Sequence, residues 1–207
     1  MGHYLVRVRL RPPARTSCSP PPSSAERPPM TVSTWNIDAS HSSVLFVARH
    51  MVVARVHGRF ERFSGVLRVN PEQPTQGEVE MSVETASIYT GSSDRDAHLR
   101  SPDFLDADAA PKLTFRSTRI EPAGGASFRL LGDLTIRNVT QPVAFDARHI
   151  GTSKDPWGNS RLIYSARTTV NRTDYGIRWN KTLDNGGWLV SEKIDLELDI
   201  QAIPATA

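Results

Sequence analysis

The chain has 207 residues, of which 38% are hydrophobic, enough for one well-buried domain and short for two. Its formal net charge is +3, yet residues 1–29 hold Arg7, Arg9, Arg11, Arg15 and Arg27 against Glu26, which leaves residues 30–207 at a net −1. Lysine occurs only at Lys112, Lys154, Lys181 and Lys193, so the domain lacks the clustered cations that phosphate binding needs, which argues against nucleic acid as a partner.

Residues 1–29 read as a disordered, Pro/Arg-rich leader. Their only apolar run, Tyr4 to Leu10, is interrupted by Arg7 and Arg9, and the prolines that follow exclude helix and strand. No secretory signal with an unbroken apolar core is recognisable, so residence in the cytoplasm is expected rather than export. Met30 stands directly before the first strand-like residues and is a candidate start of the natural protein. The sole cysteine, Cys18, excludes an intrachain disulfide and a multi-cysteine metal site. No run approaches the roughly 20 apolar residues of a spanning helix, so a soluble protein is expected.

From Trp35 onward the pattern is β nearly throughout. Trp35 and Ile37 alternate with polar neighbours, and His41–Ser43 turns the chain into Val44–Arg49. The segments Val52–Val56 and Gly58–Val69 carry glycines that suggest bends in a curved sheet. Val79, Met81 and Val83 share one face of a strand over Glu78–Glu84. The stretch from Asp94 to Phe115 is the exception. Ser92 or Ser93 followed by Asp94 and Asp96 predicts a short helix to Arg100, ended by Ser101-Pro102. A second turn over Asp103–Asp106 carries Phe104 and Leu105 and ends at Pro111, which makes the whole segment a plug for the end of a sheet or barrel.

Strands then resume at Leu113–Ile120, Phe128–Leu131 and Leu134–Ile136, with a turn expected over Asn138–Pro142. Val143, Phe145 and Ala147 alternate with polar or small neighbours, and Leu162–Val170 follows a loop that carries Trp157. Ile194, Leu196, Leu198 and Ile200 share one face of the last strand, against Asp195, Glu197, Asp199 and Gln201. Short connections and one wet face per strand predict an all-β, antiparallel protein of about eight strands with one or two short helices, closed as an up-and-down barrel or folded as a sandwich. Small residues spread over the strands, among them Ala48, Gly65, Ala86, Ala147 and Ala166, favour an interior with room for a ligand.

Little in the sequence carries recognisable chemistry. His41, His50, His57, His98 and His149 form no metal-ligand spacing. There is no nucleophile elbow, and Gly124-Gly125 and Gly186-Gly187 lie between strands as turns. Asp94 and Asp96 are accounted for by helix capping, and Asp103, Asp106 and Asp108 match no calcium loop. No catalytic residue and no metal ligand is assigned. What remains is a surplus of apolar and aromatic side chains, with Trp157 and Trp188 as possible rim residues.

Seven blocks in order resemble the YceI-like, polyisoprenoid-binding family of bacterial lipid carriers. They are W-x-I-D-x-x-H-S (Trp35 to Ser42), R-H-x-x-x-x-x-V-x-G-x-F-x-x-F-x-G (Arg49 to Gly65), D-x-H-L-R-S-x-D-F-L-D (Asp96 to Asp106), P-K-L-T-F (Pro111 to Phe115), G-D-L-T-I-R (Gly132 to Arg137), D-P-W-G-x-x-R (Asp155 to Arg161) and N-R-T-D-Y-G-I (Asn171 to Ile177). The resemblance implies an elongated lipocalin-like barrel over residues 30–207, a long apolar tunnel with the plug near its mouth, a polyisoprenoid or fatty-acyl-type ligand, and a homodimer. Many members carry a signal peptide that this leader lacks, and Asn138 stands where a turn glycine is common.

The expectation is therefore a non-enzymatic protein for binding, storage or transport of an isoprenoid or other long-chain lipid, with no other cofactor. Its rivals are a histidine- or metal-dependent enzyme and a ligand-free interaction module. Candidate cavity residues on the strands are Phe46, Phe60, Phe63, Phe115, Ile136, Phe145 and Tyr164, joined by Leu99, Phe104 and Trp179 from the non-strand segments. Arg95, His98 and Arg172 are candidates for the polar head group because they sit in those same segments.

Overall fold

A computed structural model describes residues 32–205 apart from 52, 71, 72, 157, 185 and 186. The leader over 1–29, the proposed start at Met30 and the rim position of Trp157 lie outside those residues.

Among the described residues, eleven strands form one antiparallel sheet: β1 (Ser33–Ile37), β2 (Ser43–His50), β3 (Ala54–Phe60), β4 (Phe63–Val69), β5 (Glu78–Glu84), β6 (Ile88–Tyr89), β7 (Lys112–Pro122), β8 (Ser127–Ile136), β9 (Val139–Lys154), β10 (Ser160–Asn171) and β11 (Val190–Pro204). Eight of them close a ring in the order β1-β4-β5-β7-β8-β9-β10-β11, completed where Trp35 to Ile37 pair with Pro204 to Ala202. The barrel expected from the sequence is thus present, and β2, β3 and β6 extend its wall at one end.

The three extra strands arise from kinks. β11 pairs with β1 along Ala202–Pro204 and with β2 along 190–199, so β1 and β2 are successive halves of one path, broken by a 3-10 turn at Ala39–His41. Asp38 makes that break by accepting the Ser40 N–H at 3.1 Å. Glu61-Arg62 separates β3 from β4, and a 3-10 turn over Thr85–Ser87 separates β5 from β6. Each kink carries a path beyond the ring.

Alternation decides the inside. Phe115, Leu134 and Phe145 on neighbouring strands are buried and join one core cluster with Val44, Phe60 and Ile136. Trp35, Leu67, Val69, Leu162 and Ala202 form a second cluster at the opposite end. Gly58 is required by a close approach: a Cβ there would collide with the Phe46 ring, which lies against the bare backbone. The expected bend is therefore a seat for an aromatic ring on the adjacent strand. The turn expected over Asn138–Pro142 is displaced. The chain reverses at Arg137 and Asn138, both at positive φ (51° and 63°), and Pro142 already lies inside β9 opposite Asp133. Pro142 is tolerated because β10 pairs with β9 only over residues 146–154, so the proline stands where β9 has one partner strand.

The plug contains the predicted helix, α1 (Ser93–Arg100), followed by turns over 101–109. Ser92 holds the N-cap backbone position without a side-chain capping bond. Asp96 is buried and turns back to accept the Thr90 N–H (2.9 Å) and hydroxyl (2.5 Å), so it ties the helix to its approach loop rather than capping it. Among the described residues no helix is long and apolar enough to cross a membrane.

Candidate ligand-binding site

Alternation along strands that close on themselves leaves apolar side chains facing a common interior, and here they do not fill it. A cavity of about 170 Å³ remains, lined by residues from every strand except β6. Its wall runs along β8 from Phe128 to Ile136, a path of about 27 Å that spans about 20 Å of the axis once strand tilt is allowed for. Of its 23 lining residues, Thr114 and Tyr164 alone carry a polar side-chain atom.

The structure places Phe60, Phe115, Ile136, Phe145 and Tyr164 in this wall. Phe46 stands behind it, its ring 5.7 Å from that of Phe60, and Phe63 packs against the same core. Leu99, Phe104 and Trp179 lie at the plug, where the Phe104 and Trp179 rings stand 5.1 Å apart. Other lining residues went unassigned in the sequence, among them Leu130, Leu134, Leu196 and Leu198. The signal was there for the last two, because their strand alternates strictly and its apolar face can only point inward.

The polar trio has other partners. Arg172 is buried, and its guanidinium donates to the carbonyls of Ser191 (2.9 Å), Ile177 (2.8 Å), Trp179 (2.9 Å) and Val190 (3.5 Å). Desolvation pushes its pKa down and the charge of Glu192 opposes that. Its donors are spent on backbone, so it is a brace for the loop between β10 and β11. Arg95 donates to the Thr90 hydroxyl (2.7 Å) and carbonyl (2.8 Å) on the outer side of the plug. His98 pairs with Asp103 at 2.9 Å and presents ring edges to Phe104 and Trp179 at 5.0 and 4.7 Å. None of the three is among the cavity-lining residues.

The remaining motif residues likewise assemble the container. Arg100 donates to the carbonyls of Ala86 (2.9 Å) and Ile88 (3.0 Å), stitching α1 to the kinked edge at β6. The Thr85 hydroxyl donates to Ala110 O at 2.7 Å, and the amide of Asn138 reaches Ala109 O at 3.3 Å. Near the other end, Arg161 bridges Asp38 (2.6 Å) and Asp155 (3.5 Å), which joins the first and sixth sequence blocks. The Arg161 guanidinium, helped by Ser40 and His41, holds the Asp38 carboxyl far below the usual carboxylate range. Among the described residues no group of three or more His, Cys, Asp or Glu side chains could hold a metal ion.

A closed antiparallel barrel around an apolar lumen, with a helical segment packed against one end of its core, defines a lipocalin-like barrel protein. Residues 35–202 match the YceI-like domain family, and the chain belongs to it. A UPF0312 protein of Pseudomonas putida strain W619 is 32% identical over 166 residues, covering 80% of this chain and 83% of that one. A UPF0312 protein of Shewanella oneidensis is 33% identical over 179 residues, covering 84% and 91%. Among solved structures, Burkholderia cenocepacia BcnA superposes with a TM-score of 0.69 at 22% identity, covering 82% of this chain and 99% of its own. A domain from Saccharophagus degradans described as polyisoprenoid binding superposes with a TM-score of 0.62 at 14% identity, covering 84% and 100%.

Proposed function

We propose that the protein binds one long-chain lipid, an isoprenoid or a fatty-acyl chain, inside the barrel and stores or carries it without changing it chemically. The observation that carries this reading is the lining: an elongated cavity with an almost wholly apolar wall favours an extended hydrocarbon and penalises polar or charged ligands. Each buried methylene contributes about 0.8 kcal/mol, so a chain of about sixteen carbons supplies about 13 kcal/mol and reaches micromolar affinity after an association cost of about 4–5 kcal/mol. The fold likeness to a domain described as polyisoprenoid binding supports the same class of ligand. Phe60, Phe115, Ile136, Phe145 and Tyr164 form the wall for the tail, and Leu99, Phe104 and Trp179 form the gate.

The test is a pair of matched titrations of the delipidated full chain with hydrocarbons of increasing length. Affinity rises with each added methylene until the lumen is full and then stops rising. Affinity independent of length, or saturable conversion of the added molecule to a product, overturns the carrier reading. Sedimentation of the same sample decides whether the protein works as a homodimer.

A further inference from the structure

Three of the six large hydrophobic side chains that stand exposed among the described residues gather at one place: Met51 at 49%, Val53 at 79% and Trp188 at 57% of full exposure. Met51 and Val53 sit in the tight turn between β2 and β3, just beyond the pair His50 and Ala54. Trp188 belongs to a short hairpin in the loop before β11, closed by its bridge to Thr182 and by the Leu183 N–H, which donates to Gly187 O at 2.7 Å. Leu189 joins the two tips. Its carbonyl accepts the Met51 N–H at 2.8 Å, and its own N–H donates to Lys181 O at 2.9 Å. Both tips stand at the plug end, because Arg172 binds the carbonyls of Val190 and Trp179, and the Trp179 ring packs on Phe104.

Positive charge gathers at the same place. Residues 49–55 and 178–189 hold Arg49, Arg55, Arg178 and Lys181 against Asp184, a net +3, in a domain whose residues 30–207 sum to −1. All four cations are exposed, and Arg49 faces Arg55 directly across the β2–β3 pair. Among the described residues neither of these two arginines has an ion-pair partner. Like charges opposed on neighbouring strands repel, and an anionic surface relieves them. Of the plug's carboxylates, Asp96, Asp103 and Asp106 are engaged by Thr90, His98 and Arg137, which leaves Asp94 and Asp108 open. The basic tips rather than the plug thus meet an anion.

Aliphatic side chains and an indole beside unpaired cations suit a bilayer interface, where the apolar groups enter at headgroup depth and Lys and Arg lie against phosphate. Two turn tips offer little flat area to a protein partner, and a long-chain lipid has to leave and rejoin a bilayer. Resting on the carrier reading, we infer that the protein docks on an anionic phospholipid surface through these tips. Met51, Val53 and Trp188 enter the headgroup layer, Arg49, Arg55, Arg178 and Lys181 bind its phosphates, and the chain is exchanged at the plug end.

The experiment measures cosedimentation of the full chain with phosphatidylcholine vesicles, made with or without phosphatidylglycerol. The leader is present in every sample, so its arginines cancel in each comparison. The double variant Arg49→Gln/Arg55→Gln binds the anionic vesicles about ten- to thirtyfold more weakly, the scale of two surface arginines, and the difference shrinks in high salt. Trp188→Ser weakens attachment to vesicles of both compositions about tenfold. Arg129→Gln/Arg148→Gln removes the same charge from exposed positions near the far ends of β8 and β9 and leaves attachment unchanged. Hydrocarbon binding from solution is the same in every variant. Attachment that survives the first two changes, or that falls equally in the far-end variant, overturns the docking site. So does self-association that the tip substitutions abolish, which would assign the face to a second copy. Protein that binds hydrocarbon but no vesicles leaves the carrier reading standing alone; protein that docks through the tips but binds no hydrocarbon removes the carrier reading and keeps the docking site.

Discussion

At the scale of single residues, the charged side chains that attract attention in the sequence mostly hold the container together. Replacing Arg172 by Ala removes its bonds to the carbonyls of Ser191, Ile177 and Trp179, while Val190 O keeps the Asn180 amide at 2.8 Å. The expected cost is about 3 kcal/mol, several lost charge-assisted bonds partly recovered by water, or about 6–12 °C in melting temperature for a domain of this size. Tail affinity per folded molecule is unchanged, and selective loss of one head group without a stability change would return Arg172 to the ligand. Asp38 provides a pH test. Its folded pKa lies below the unfolded one because of Arg161, Ser40 and His41, so its stabilisation is complete above the ordinary carboxylate pKa and fades as pH falls through and below it. Asp38→Asn therefore lowers the melting temperature at neutral pH, and the gap to wild type narrows toward strongly acidic pH. A gap that is constant with pH would mean that the carboxylate charge is not what stabilises this corner.

At the scale of elements, the plug shows both what was legible and what was not. Its helix was readable from Asp94 and Asp96 followed by Ser101-Pro102, because first-turn acids and a proline stop are local signals. The destinations of Arg95, Asp96, Arg100 and Arg172 were not readable, because each bonds to backbone whose position depends on the closed sheet. The kinks were half legible: His41–Ser43 read as a turn, but that β1 and β2 continue one path along β11 emerges only from pairing. Lumen residues on strict alternators such as Leu196, Leu198 and Ile200 were readable as one face. Ile120 was not readable as lining, because a register shift between Ser117 and Arg119 interrupts the alternation before it. The plug carries its own prediction. Arg100→Ala removes two bonds that stitch α1 to Ala86 and Ile88, so release of a bound chain accelerates about tenfold, on the scale of one to two hydrogen bonds. Stopped-flow transfer to acceptor vesicles measures it, and an unchanged release rate would mean that the chain leaves by another route.

At the scale of the whole molecule, nearly every ordered polar interaction lies in the ends and outer faces, and the interior is left to hydrocarbon. Eight strands close the ring, three more lengthen it, and the two apolar clusters bound a lumen that its own side chains do not fill. A cavity of this kind is costly to leave empty, since its walls lack packing partners, and a long chain supplies them. The occupant of the lumen is therefore decisive. Mass spectrometry of a solvent extract from the untagged protein, purified without detergent, tests it most directly. The prediction is one long-chain apolar molecule per barrel, lost from an Ala166→Trp variant that fills the lumen while remaining folded. An extract free of such a molecule, from protein that also binds no added hydrocarbon, would contradict it.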